Sequence, residues 1–395
     1  MRKDIHLGII LNSIPTYSET FLISKLNGLV SEGFKISLFI FSKNKSNIYL
    51  DRSINIYWQD NVYKLRFLII SMLKVIILAP YKLIKFILIE RSSNRGWVRI
   101  IKNIIINANI LVVKNLDWIH FEFATIGISR ENIGKAVGAK IACSFRGFDI
   151  CLFPYRNPKC YDLLFKSIDK VHTISDDLYK HALKLGLEKS VKFQKITPAI
   201  NTNMFSNEKA TGKLHSPIRI LTVSRLHWKK GIEYAIDALK IVNQKGLEFE
   251  YRIIGSGDYY EPIVYAINSS GIAEKIKMVG EKNHFDIVNE MKWADIYIQP
   301  SIQEGFCNAV IEAQAMKLLV IVTDADGLSE NVLNNKTGWV VPKRNAISIS
   351  DRIIDISSMN QKKIKIVQDN ARKRVMNNFS ITKQIEMFSD FYKNI

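Results

Sequence analysis

Cysteine is scarce in this chain of 395 residues: four thiols, at positions 143, 151, 160 and 307, with no C-x-x-C pair among them. That spacing argues against a zinc ribbon or a dithiol redox centre, and the thiols read as reduced, as in a cytosolic protein. Long apolar runs are also missing. The opening MRKDIHLGIILN has a five-residue apolar run, which suits a first β-strand rather than a secretory signal. The most apolar stretch, residues 61–102, has no uncharged run longer than seven residues, far short of the roughly 20 that a spanning helix needs. There is no low-complexity tract, no repeat at solenoid or propeller periods, and no G-x-G-x-x-G in residues 1–40.

Acid is thin in the first half. Residues 1–200 hold 30 Lys+Arg against 15 Asp+Glu, and residues 201–395 hold 26 against 22. Most of the formal charge of +19 therefore sits N-terminally and calls for an anionic partner; nucleic acid and an anionic membrane surface are the candidates. Residues 61–102 concentrate the effect, with nine Lys/Arg against Glu90, interleaved with Ile, Leu, Phe and Tyr. This reads as a basic amphipathic surface segment, the alternative being a pair of core helices with solvated lysines.

What is present is enough apolar content, 47%, for two cores. The runs IHLGIIL, KISLFIF, DWIHFEF and KIACSF predict strands in the first half. IRILTVS, FEYRIIG, IKMVG, DIYIQP and LVIVT predict strands in the second. Amphipathic stretches such as GIEYAIDALKIVNQKG separate them, so the expected class is α/β with doubly wound parallel sheets. The polar stretch 198–217 marks the break, giving domains 1–205 and 206–375, and residues 376–395 read as a closing amphipathic helix. Ligands of such sheets bind beyond the carboxyl ends of the strands.

Three constellations lie there. In TVSRLHWKKGIEYAIDAL, residues 222–239, Arg225, Lys229 and Lys230 occupy the turn before a helix, a ready anion site; a solvated basic turn is the bland alternative. In IQPSIQEGFCNAVIEAQAMK, residues 298–317, Glu304 follows a strand and Glu312 lies eight positions on, carboxylates suited to gripping hydroxyls. The turn YRIIGSGD brings Gly255 and Gly257 after another strand, without the third glycine of a dinucleotide fingerprint.

Together these residues resemble the family 4 retaining glycosyltransferases, most strongly over residues 218–342, where SRL…KKG, IIGSGD, MVG, WADIYIQPS, EGFCNAVIEA, DGLSENV and TGWVVP follow in order. The resemblance implies a GT-B fold, two Rossmann-like domains facing across a cleft. It implies that Arg225 and Lys230 hold the diphosphate of a UDP- or GDP-sugar. Glu304 and the backbone of Phe306, Cys307 and Asn308 would face the transferred sugar, and Glu312 the ribose. It implies a nucleotide-sugar donor domain that includes Gly255 and Gly257, no metal and no other cofactor.

The opening IPTYSETFLISKLNGLVSEGF resembles transferases of the colanic-acid type, which build bacterial surface polysaccharides on glycan or polyprenyl-diphosphate-linked acceptors. Acceptor-side residues would then be Ser18, Glu19, His120, Glu122, Arg146 and Asp149. Here the chain departs from the pattern. Arg146 in SFRGFDI stands where much of the family has histidine, Glu122 stands in place of a second histidine, and Lys317 and Leu319 replace a usual Gly and Pro. The closing helix would cross back onto the first domain. The expected location is cytoplasmic, peripheral on the inner face of the membrane. An epimerase or phosphorylase of the same build is the alternative, and a nucleic-acid-binding protein a distant one, since charge alone does not explain Glu304 and Glu312. Asp324 and Asp326 form a D-x-D that binds metal in a different transferase fold; here it falls in a variable loop.

Overall fold

The computed structural model describes residues 5–14, 20–42, 50–59, 65–207 and 212–394. The chain forms two compact units, Met1–Thr197 with Gln384–Ile395, and Pro198–Lys383.

The first unit holds seven strands: β1 (His6–Ser13), β2 (Lys35–Ser42), β3 (Asn55–Trp58), β4 (Trp118–Phe121), β5 (Lys140–Phe145), β6 (Lys170–Thr173) and β7 (Lys192–Lys195). Their order is β3-β2-β1-β4-β5-β6-β7, with every neighbour parallel. The second unit holds β8 (Ile218–Val223), β9 (Phe249–Ile254), β10 (Ile276–Gly280), β11 (Ile296–Gln299), β12 (Leu319–Thr323) and β13 (Trp339–Val341), ordered β10-β9-β8-β11-β12-β13 and likewise parallel. Strands covered on both faces read as near-continuous apolar runs, and LVIVT of β12 is buried throughout. The strand order reverses between β1 and β4 in one sheet and between β8 and β11 in the other. Those are the switch points at whose carboxyl ends such sheets bind ligands.

All nine strands expected from the sequence form. The other four are short: β6 (KVHT) and β7 (KFQK) carry lysines that mask the apolar signal. Between the first strands lie α1 (Thr20–Ser31), α2 (Leu65–Leu78), α3 (Pro80–Ser92) and α4 (Trp97–Val112). Pro80 opens α3, the helical position where its missing N–H costs nothing. The segment expected at 61–102 is thus two helices and the start of a third, its first residues, 61–64, lying outside the described residues.

The last helix, Ile381–Lys393, packs into the first unit. Phe388, Phe391 and Tyr392 join the core around Leu7, Ile9 and Trp118. Trp118 Nε1 donates to the Tyr392 carbonyl at 3.2 Å, and Lys170 Nζ to that of Phe391 at 2.7 Å.

Candidate active site

In the second unit the sheet ends the central strand β8 at Val223, and the chain turns through Ser224–His227 into a short 3-10 turn, Trp228–Lys230. Gly231 follows at φ 60°, and the helix Ile232–Gln244 starts directly after it. The left-handed glycine is required twice over, because a Cβ there would sit 2.4 Å from the Pro300 carbonyl oxygen. That close approach zips the turn to the loop after β11: the Ile302 N–H donates to the Lys229 carbonyl at 2.7 Å.

The two clusters singled out in the sequence therefore meet. Lys230 Nζ forms an ion pair with Glu304 across the switch point between β8 and β11. Lys230 is only 8% exposed. Burial pulls its pKa down, but Glu304 more than offsets this, and the ammonium is held above its ordinary range. Arg225 lies exposed in the same turn. The Ser224 hydroxyl beside it is buried and makes no hydrogen bond. Glu312 lies half-buried in the helix Asn308–Ala315, and loss of water pushes its carboxyl up to about 7. A buried hydroxyl with spare capacity, an exposed guanidinium and a carboxylate short of water are all groups that a polar ligand would satisfy.

Three expected contacts are otherwise engaged. A Cβ at Gly255 would fall 1.9 Å from the Ser224 carbonyl oxygen, and one at Gly257 2.2 Å from that of Leu226. These glycines let the GSG turn back the 224–226 turn, where Leu226 N–H donates to Ser256 O at 2.8 Å. Their identity is explained without a ligand. The Cys307 N–H donates to Asn331 Oδ1 at 3.2 Å, and its carbonyl accepts from Asn331 Nδ2 at 2.9 Å, so that amide is not available to a sugar. Burial pushes the Cys307 thiol up to about 12, which keeps it neutral. Phe306 packs its ring against Phe379 at 5.6 Å, and Asn308 opens the helix.

Sequence reading missed the polar layer beneath. Tyr251 Oη donates to Thr222 Oγ1 at 2.8 Å, Tyr297 Oη to Gln299 Oε1 at 2.8 Å, and Gln299 Nε2 to Ser301 Oγ at 2.9 Å. These side chains fix the strand ends that carry the turns. Polar residues at strand ends (Thr222, Gln299) were the available signal. A cavity of about 750 Å³ lined by His215, Asp295 and Lys317 opens at the opposite, amino edge of this sheet, and Arg225, Lys230, Glu304 and Glu312 do not line it. Asp324 and Asp326 are turned to the 343 region: Asp324 Oδ1 accepts the Lys343 N–H at 2.8 Å, and Lys343 Nζ lies 3.6 Å from Asp326.

Comparison with known proteins decides what this geometry belongs to. Residues 203–374 match the family model described as glycosyl transferases group 1. The second unit is a group 1 glycosyltransferase domain. The family expected from residues 218–342 is thus the family found. A relative, the amylovoran biosynthesis glycosyltransferase AmsK of Erwinia amylovora, is 31% identical over 247 residues, 60% of this chain and 60% of its own length. Another, an Escherichia coli UDP-Gal:alpha-D-GlcNAc-diphosphoundecaprenol alpha-1,3-galactosyltransferase, is 26% identical over 220 residues, 55% of this chain and 56% of its own. The aligned stretch thus spans under two thirds of either relative. Among solved structures, Anabaena HepE in complex with UDP matches at TM-score 0.75 and 14% identity, over 99% of this chain and 100% of that one. At that identity the likeness speaks for the fold: two Rossmann-like units, the GT-B architecture expected from the sequence.

The group 1 domain is open where the first unit is closed. Ser18 and Glu19 lie outside the described residues. His120 and Glu122, expected on an acceptor face, are 0% exposed. Glu122 is bound by Lys25 Nζ and by Arg146 Nη2, the latter at 2.6 Å. Burial would raise its pKa, but the two cations hold it well below the carboxylate range. His120 Nδ1 meets Tyr392 Oη at 2.6 Å and its Nε2 meets Ser144 Oγ at 2.7 Å, with Ser144 in turn 2.7 Å from His172 Nδ1. Burial drives the His120 pKa well below its ordinary value. Asp149 is a staple: its carboxylate accepts from the N–H groups of Arg146 at 3.0 Å, Gly147 at 2.9 Å and Ala124 at 3.1 Å. The acceptor expectation for His120, Glu122 and Asp149 is therefore corrected, because none of them has surface to offer. Arg146 alone reaches the edge, with a side chain 11% exposed between the rings of Phe21 and Phe123.

Proposed function

We propose that the chain is a retaining glycosyltransferase that moves a hexose from a UDP- or GDP-sugar onto a glycan acceptor in bacterial surface polysaccharide synthesis. The acceptor is a polyprenyl-diphosphate-linked glycan, and the protein works at the cytoplasmic face of the membrane. One observation carries the reading: the Lys230–Glu304 pair joins the two motif clusters at the switch point of a group 1 domain.

The chemistry follows from charge. As the glycosidic bond to the diphosphate breaks, negative charge builds on the leaving oxygen. Arg225, Lys230 and the N–H groups opening the helix Ile232–Gln244 are the groups aimed at it. Lys230 has three donors and gives one to Glu304, so two remain for phosphate oxygens. Glu304 is then shared between the lysine and the sugar hydroxyls, and Glu312 takes the ribose diol. The leaving phosphate oxygen receives the acceptor's proton, which removes the need for a dedicated base. Charge stabilisation is thus assigned to side chains rather than to a metal. The lipid-linked acceptor is supported by the name of the Escherichia coli relative, and UDP by the HepE complex. Both relatives are named glycosyltransferases and lend the epimerase reading no support.

A thermal-shift panel of UDP-, GDP- and CMP-sugars tests this. One UDP- or GDP-sugar should raise the melting temperature, and Arg225→Ala should abolish the response while leaving the ligand-free melting curve in place. A full response in that variant would misplace the diphosphate.

A further inference from the structure

We infer that α2, α3 and the first turns of α4 form a seat for the headgroup boundary of an anionic lipid bilayer. The inference deepens the proposed membrane-linked reaction, but lipid binding itself does not depend on that reaction being right.

The helices are amphipathic in the inverted sense. In α2 the narrow stripe Ser71, Val75 and the following Ala79 is buried, while Ile70, Leu73 and Ile77, on the other side, are 53%, 51% and 71% exposed. In α3, Phe86 and Glu90 are buried, while Ile84 and Leu88 are 59% and 64% exposed. Trp97, 59% exposed, continues the face at the start of α4. Of the 25 exposed large apolar residues among the described ones, twelve fall between positions 69 and 101. A soluble monomer rarely gathers so much apolar surface without a partner.

Charge selects the partner. Residues 68–102 contain seven Lys/Arg and a single acid, Glu90. That acid is fully buried, held by Arg95 at 2.9 Å, Asn103 at 2.6 Å and Asn132 at 2.8 Å. The outer surface of the hairpin is therefore apolar and cationic, with no acid to answer it. A second copy seated on this face by a two-fold axis would set cations against cations. A bilayer with anionic headgroups meets both features: apolar side chains reach the acyl boundary, and Lys85, Arg91, Arg99 and Lys102 extend to the phosphates. Insertion across the membrane is ruled out by length, since α2 has 14 residues and α3 has 13, and no helix among the described residues is long and apolar enough to span. The helices would lie in the plane of the interface.

The test is co-sedimentation of the full chain with vesicles of phosphatidylcholine alone or mixed with phosphatidylglycerol. Binding should require the anionic lipid, weaken with salt, and fall by about tenfold or more in the triple variant Ile70→Glu, Ile77→Glu, Leu88→Glu. The variant should keep its melting temperature, because the three side chains are exposed, and keep its response to the nucleotide-sugar. Trp97 adds a local readout: its emission should shift to the blue on vesicles, a change absent in Trp97→Phe. Equal sedimentation of variant and parent overturns the inference. So does a dimer that ignores vesicles and is split by the triple variant, which would assign the face to a second copy. Vesicle binding without any donor response would sink the transferase reading and leave this one standing.

Discussion

The two carboxyl edges are built from the same materials and end up chemically opposite. Each sets a carboxylate against cations at the switch point of a parallel sheet. In the first unit Glu122 is sealed between Lys25 and Arg146, with histidines 120 and 172 linked by Ser144 beneath it. Nearly every polar valence there is spent inside the protein. In the second unit Lys230 is buried against Glu304, whose side chain keeps 14% of its surface, Arg225 is exposed, the Ser224 hydroxyl makes no hydrogen bond and the Glu312 carboxyl is desolvated. A charged cluster therefore signals a site by what it leaves unsatisfied, not by the residues it contains. The first network has its polar groups satisfied within the fold; the second keeps donors and acceptors to spare.

That contrast can be broken by mutation. The largest effect is expected from Glu122→Ala, which would leave the buried Lys25 and the mostly buried Arg146 without their carboxylate. Loss of one partner of a buried pair costs about 3–5 kcal/mol, so urea denaturation should show the first unit destabilised by that order, with the donor-induced shift of the second unit kept. An unchanged urea midpoint would make the network ornamental. The mirror experiment is Lys230→Ala. Its partner Glu304 can rehydrate at the edge, so the melting temperature should hold nearly steady. Turnover of the donor identified by the thermal panel should fall about 10²–10³-fold, the usual cost of one transition-state donor. If stability collapses while turnover survives, the roles of the two edges are exchanged.

How much of this was legible in the sequence also differs between the units. In the second, each motif is local: a strand end, a turn and a helix start within some twenty residues, so Arg225, Lys230, Glu304 and Glu312 stand out as candidates, and the fold brings Lys230 and Glu304 together. In the first, the partners that define Glu122 and His120 are Lys25, 97 positions away, and Tyr392, 272 positions away. No pattern of spacing reveals such a contact, and the resemblance alone puts both residues among the acceptor-side candidates, although a lone histidine at a strand end is more often structural. Lys317 was legible only as a departure from glycine. It adopts φ 62°, the left-handed conformation that glycine takes freely, and is tied by an ion pair to Asp369 at 2.8 Å. The inverted amphipathicity of α2 was half legible: the sequence showed apolar and basic residues interleaved, but which face turns inward depends on packing that the periodicity does not encode.

The finest distinction between the edges is one of protonation. Loss of water raises the Glu312 carboxyl from 4.5 to about 7 in the ligand-free protein. A carboxyl whose pKa is higher folded than unfolded binds its proton more tightly in the native state. Its neutral form therefore favours folding, and that contribution is lost as pH rises from about 4.5 through about 7. Glu312→Gln should flatten this segment of the stability curve. Donor binding should carry the opposite sign: two hydroxyls of a ribose donate to an ionised carboxylate, so the donor-induced shift should grow as pH passes about 7 and become pH-independent in the glutamine variant. Glu122, already ionised between its cations, should contribute no such step in that range. A donor response that rises with pH equally in Glu312→Gln would remove Glu312 from the ribose and leave the cations to hold the nucleotide without it.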